Sequence, residues 1–119
     1  MMKPDIVERS VAYALKIIEL YRGIDKDVVG RVLGRQLLRS GTSIGANIHE
    51  AQGGQSRADF IAKISIAHKE ARETAYWLRL VREAKILPTD RLNDISDETD
   101  QVIRILSSIL LTAKQAKNK

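Results

Sequence analysis

Hydrophobic positions in this chain recur at alternating spacings of four and three, which keeps one face of a helix against a packed neighbour. The clearest run is Phe60, Ile64, Ala67, Ala71, Thr74, Leu78 and Val81. The same segment carries a second run on another face: Ile66, Glu70, Glu73, Trp77 and Leu80. A helix of a small monomeric bundle needs one stripe. Two stripes predict two sets of partners, one inside the subunit and one outside it. Three further segments carry single stripes. They are Val7, Val11, Ala14, Ile18, Tyr21; then Leu33, Leu37, Ser40, Ile44, Asn47 or Ile48, Ala51; then Leu92, Ile95, Thr99, Val102, Leu106, Ile109, Ala113. Period-two alternation is missing, so no strand is expected.

Turn and cap signals set the boundaries. Pro4 and Asp5 suit a helix start and Gly23 its stop; Gly53-Gly54 ends a second helix; Ser56 with Asp59 resembles a capping box; Pro88 separates a third helix from a fourth. The predicted helices span 5–22, 28–52, 56–86 and 89–115. Short connections make consecutive helices antiparallel neighbours, so the expected fold is all-α, a single up-down-up-down antiparallel four-helix bundle domain over residues 1–119. Gly30, Gly34, Gly41 and Gly45 lie inside the second helix. Each costs up to about 1 kcal/mol of helix propensity, which a helix tolerates where another backbone approaches closely.

Composition narrows the function classes. Cysteine is absent, which excludes disulfides and thiolate metal sites. The charged N-terminal stretch has no apolar signal core, and no apolar run approaches the length of a membrane span, so a soluble cytoplasmic protein without a membrane role is expected. The net charge of +5 is unevenly placed. Residues 26–55 carry Lys26, Arg31, Arg35 and Arg39 against Asp27 and Glu50. Residues 56–87 carry Arg57, Lys63, Lys69, Arg72, Arg79, Arg82 and Lys85 against Asp59, Glu70, Glu73 and Glu83. The flanking segments balance, so all the excess sits on the central hairpin, and a basic surface attracts polyanions.

Enzymatic constellations fail on inspection. A di-metal bundle site wants Glu-x-x-His on two helices, and the residues three before His49 and His68 are Ala46 and Ser65. No nucleophile has a histidine–carboxylate pair arranged around it. No catalytic residue, metal or cofactor is expected. Glu70 and Glu73 lie inside an otherwise apolar seam and are assigned to salt bridges with a neighbouring subunit. Ser40, Ser43, Asn47 and Glu50, with Gln36, recur beside the apolar stripe of the second helix and are assigned to a buried polar network that fixes register. Two basic stripes remain, Arg31, Arg35 and Arg39 on the second helix and Lys69, Arg72 and Arg79 on the third, with Tyr76 among the latter. Each is ordinarily a solvated face with local pairs such as Lys69 with Glu73. As a set they suit a phosphate backbone, with Tyr76 or Trp77 available for stacking.

From Ser40 to Glu73 the chain resembles a bacterial four-helix bundle family, the proteins encoded in intervening sequences of large-subunit ribosomal RNA genes. That family includes the accessory protein of diversity-generating retroelements. The resemblance rests on Arg39, Ser43-Ile44, Asn47-Ile48 and Glu50, then Ser56, Phe60, Ala67 and Glu70. His68-Lys69 stands where a small Gly-Ser-like pair is usual, and the first helix lacks the tryptophan often found there. The resemblance implies a homopentamer of bundles arranged as a barrel with a central channel. For the retroelement branch it implies binding of nucleic acid and of a reverse transcriptase.

The expectation is therefore a non-enzymatic oligomer, with Ile66, Glu70, Glu73, Trp77 and Leu80 at the subunit interface. Arg31, Arg35, Arg39, Lys69, Arg72, Tyr76 and Arg79 would contact nucleic acid, RNA above all. The alternative is a protein-interaction scaffold whose positive charge is incidental.

Overall fold

A computed structural model describes residues 4–117; Met1–Lys3 of the charged N-terminal stretch, and residues 118 and 119, lie outside the described residues. The helices are α1 (Pro4–Arg22), α2 (Val28–Gln52), α3 (Arg57–Glu83) and α4 (Thr89–Lys117). They pack side by side in chain order into a rod of 51 × 20 × 20 Å. The fold is a four-helix bundle with no strand among the described residues.

Local chemistry sets the ends. Asp27 accepts a hydrogen bond from Gly30 N–H and caps α2, and Ser56 accepts one from Asp59 N–H and caps α3. Ser56 is thus the cap preceding the third helix. That helix also stops three residues before the predicted end. Lys85 adopts a left-handed backbone (φ 58°), and Lys85 and Ile86 N–H donate to the carbonyls of Arg82 and Val81. This is a Schellman stop, built on lysine where glycine is usual.

All seven positions of the first α3 stripe are buried. α3 packs between α2 and α4, meeting α2 at the Ser40–Thr74 hydroxyl pair and α4 at His68–Ser107 and Arg82–Ser96. The α2 glycines face α1: a Cβ on Gly41 would stand 2.8 Å from Ile17, and one on Gly34 2.9 Å from Tyr21. They sit where the helices approach most closely.

The predicted α1 stripe is corrected. Ile6, Ser10, Tyr13, Ile17 and Leu20 line the core with Val7, whereas Val11 is 40% exposed and Ala14, Ile18 and Tyr21 are only half-buried. The true stripe lies one position earlier along the chain and includes two polar side chains, each satisfied. Ser10 Oγ donates to the Val7 carbonyl, and Tyr13 Oη pairs with Thr99 Oγ1 at 2.6 Å. Burial pushes the Tyr13 phenol far above its usual range, so it stays neutral. On α4, Ile109 and Ala113 are half-buried rather than buried. Arg9 in the second turn of α1 already pairs with Glu98, so the last turns of α4 run past the start of α1.

Candidate nucleic-acid interface

The α2–α3 seam holds a connected polar cluster. Ser40 and Thr74 hydroxyls pair at 2.8 Å, and both side chains are fully buried. Glu70, 8% exposed, accepts from Arg39 at 3.3 and 3.4 Å and from Ser43 Oγ at 3.3 Å. Asn47 Nδ2 donates back to Ser43. Glu73 accepts from Arg39 and, at 3.0 Å, from the Trp77 indole. The indole hydrogen bond, then the Arg39 charge, hold the Glu73 carboxyl below the usual carboxylate range. Ser40, Ser43 and Asn47 thus meet in one cluster, whereas Glu50 stands apart, exposed, and pairs with Lys63 at 2.9 Å.

Two expectations are corrected here. Glu70 and Glu73 were assigned to arginines of a neighbouring subunit, but Arg39 of the same chain reaches both. Glu73 is therefore engaged by Arg39 and Trp77 rather than by Lys69. A helix wheel places the two glutamates on one face, but it cannot show that Arg39 lies across the seam.

The remaining members of that seam are less covered. Ile66 is 38% exposed, and Trp77 and Leu80 are half-buried. The Tyr76 and Trp77 rings meet edge to face at 5.1 Å. On α2, Val28, Val29 and Val32 are all exposed, and the residue pattern gave them no role.

Contacts fix how α3 is oriented. Its α2 flank carries Lys63, Glu70 and Glu73; its α4 flank carries His68, which meets Ser107 Oγ at 2.8 Å, and Arg82, which donates to Ser96 Oγ at 2.8 Å. At about 100° per residue, Lys69 and Tyr76 then face outward, and Arg72 and Arg79 turn toward α4. On α2 the stripe fans the other way. Arg39 lies on the α3 side, Arg35 faces outward, and Arg31 donates to the Lys26 carbonyl beside the α1–α2 turn. The seven nominated residues therefore do not form one surface.

Nor are they equally free. Arg39 is bound to Glu70 and Glu73, and Arg79 to Glu83 at 2.6 Å. Arg35, Lys69 and Arg72 are exposed and have no carboxylate within ion-pair distance among the described residues. Burial and the Arg72 charge hold the His68 imidazole below its ordinary range. Residue patterning missed the α4 side of this flank, where Arg104 and Ser107 stand on the helix facing Arg72. The signal was available as an i, i+3 pair, but only the packing shows which helix it faces.

No group of metal-ligating side chains, and no helix long and apolar enough to cross a membrane, occurs among the described residues. One cleft of about 890 Å³ opens at the end of the bundle, lined by Ile6, Phe60, Ile105, Ile109 and Ala113 among others.

Residues 2–108 match the family described as 23S rRNA-intervening sequence protein. The chain belongs to this family. A similar solved structure, a protein of unknown function from the S23 ribosomal protein family of Bacteroides thetaiotaomicron, is 41% identical. The match covers 88% of this chain and 97% of that one, with a TM-score of 0.82. No curated protein matches. Several residues that carried the resemblance, Arg39, Ser43, Asn47 and Glu70, prove to be the α2–α3 polar cluster. The family match ends at residue 108, so it leaves out the α4 turns that border the cleft beyond that point.

Proposed function

We propose that this chain is a non-enzymatic, cytoplasmic, oligomeric bundle that binds nucleic acid, RNA above all, through exposed cations of α2 and α3. The observation that carries the proposal is the exposed set Lys69, Arg72 and Arg35, without counter-charges within ion-pair distance and with the exposed Tyr76 beside Lys69 and Arg72. Cations in this state release counterions on meeting phosphates, whereas Arg39 and Arg79 must first leave a carboxylate. The family's description, which refers to ribosomal RNA, supports the same direction. In its finer form the assembly is a homopentamer, an accessory subunit of a reverse transcriptase or ribonucleoprotein.

Binding of single-stranded RNA should weaken steeply with salt. Lys69→Gln with Arg72→Gln should lower the log–log salt slope by about 1.4, or about 0.7 per lost phosphate contact. Unchanged affinity and slope in that variant would refute the assignment.

Exposed apolar side chains favour a second reading, a protein-interaction scaffold. Val28, Val29 and Val32 on α2 and Ile66 on α3 lie open, the last with the half-buried Trp77 and Leu80 of the seam assigned to subunit contact. Trp77→Ala with Leu80→Ala should reduce the mass seen by light scattering while helicity persists. RNA binding lost together with the oligomer favours the first reading, and a protein without RNA affinity at low salt leaves the scaffold.

A further inference from the structure

His68 stands where α3 turns its flank to α4, with Nε2 2.8 Å from Ser107 Oγ. Arg72 lies one turn further along the same face of α3, and Arg104 one turn before Ser107 on α4. Lys69 is adjacent on α3, and Lys114 lies two turns beyond Ser107 on α4. Neither Arg72 nor Arg104 has a carboxylate within ion-pair distance among the described residues. The acid closest along this part of α4 is Asp100, one turn before Arg104. An imidazole, a hydroxyl and two guanidinium-bearing side chains therefore lie within about a turn of one point on the seam, with no carboxylate in ion-pair contact with either guanidinium.

The geometry points to a phosphate-binding site at the α3–α4 seam, in which His68 and Ser107 donate to phosphate oxygens while Arg72 and Arg104 supply positive charge. The phosphate belongs to an RNA backbone or to a small phosphorylated molecule; the RNA form rests on the function proposed above. In the free protein His68 is disfavoured as a cation by burial and by Arg72. A bound phosphate reverses that balance, because its charge offsets both. His68 then takes one proton from solvent, so both ring nitrogens donate and the Ser107 hydroxyl is released to the ligand. Affinity therefore rises as pH falls, which a phosphate site made of arginines alone would not show.

The chain has two histidines, so each imidazole is a separate NMR probe. His49, whose Nδ1 meets the Gly45 carbonyl at 2.8 Å on α2, serves as the internal control. Inorganic phosphate and a short oligouridylate are each titrated into the intact protein while both imidazoles are followed against pH. The expected result is an upward displacement of the His68 midpoint with His49 unmoved. Affinity should rise about three- to tenfold between about pH 7.5 and about pH 5.5, and this gain should vanish in His68→Gln measured with the same ligand.

A His68 midpoint unmoved by either ligand overturns the site, as does a pH gain that persists in His68→Gln. RNA that binds without moving His68 overturns the RNA form of the site and leaves the nucleic-acid function standing. If phosphate moves His68 and RNA does not bind, the site stands for a small phosphorylated ligand and the nucleic-acid function falls.

Discussion

Gly41→Ala tests the α1–α2 packing on which the orientation of the bundle depends. Alanine recovers up to about 1 kcal/mol of helix propensity, so an open site would gain stability. Gly41 is buried, however, and the new Cβ would stand 2.8, 2.9 and 3.2 Å from three carbons of Ile17. Ile17 is fully buried and β-branched, so it has little rotameric freedom to yield. Overpacking of this kind costs about 1–3 kcal/mol, leaving a net loss of about 0–2 kcal/mol, or up to several degrees in Tm. Two controls bracket the expectation. A Cβ on the exposed Gly53 meets only one carbonyl oxygen, at 3.9 Å, so Gly53→Ala should be close to neutral. One on Gly30 would stand 1.9 Å from the Asp25 carbonyl oxygen, backbone that cannot move without unseating the α1–α2 turn, so Gly30→Ala should cost the most. Urea unfolding followed by helix circular dichroism, at one fixed protein concentration, reads these as midpoint shifts at constant m. A midpoint raised by Gly41→Ala would refute the close approach of α1 and α2.

Three other outcomes follow from the same structure. Lys85→Gly should stabilise the protein by about 1 kcal/mol, because glycine enters the left-handed region without the Cβ penalty that lysine bears; a lower melting temperature would contradict the Schellman stop. Arg39→Ala leaves Glu70 almost buried with Ser43 as its remaining side-chain donor, which should cost about 1–2 kcal/mol in urea and be partly restored by adding Glu70→Gln. Hydrogen bonding from Arg9 holds the Glu98 carboxyl below the usual carboxylate range. A depressed carboxylate contributes stability that is present at neutral pH and lost as pH falls through its folded-state titration. Glu98→Gln should therefore lower stability at neutral pH and flatten its decline in acid, and an unchanged acid limb would show the pair to be inconsequential.

How much could be read from the sequence differs by helix, for physical reasons. In α3 the seven stripe positions are apolar apart from Thr74, so polarity and burial largely agree from Phe60 to Val81, and Glu70 is buried beside them because Arg39 and Ser43 satisfy it. In α1 they disagree. Ser10 and Tyr13 are buried because a backbone carbonyl and Thr99 satisfy them, and a polarity pattern instead favours Val11 and Ile18. The Schellman stop at Lys85 lacks the glycine that would announce it. Ile109 and Ala113 look like core because the α4 stripe continues, but they border the open cleft that Ile6 and Phe60 also line. For the site, each basic stripe was visible on its own helix. Their divergence was not, because it depends on how each helix is rotated in the bundle.

The same packing explains why a modest net charge becomes a localised one. Five of the six acids in residues 26–87 are engaged by neighbours within the chain. Asp27 caps α2; Glu70 and Glu73 hold Arg39; Glu50 holds Lys63; Glu83 holds Arg79. Asp59, in the first turn of α3, favours the helix dipole there. The basic stripes thus divide into cations already neutralised and cations that are not, a division that net charge cannot express. If polyanion binding follows from composition alone, replacing any two arginines should weaken it alike. If it follows from packing, Arg35→Gln with Arg72→Gln should weaken it and reduce its salt dependence, while Arg22→Gln with Arg79→Gln, which lowers the net charge equally at cations already paired with Glu19 and Glu83, should weaken it much less. Equal losses in the two double variants would return the explanation to composition.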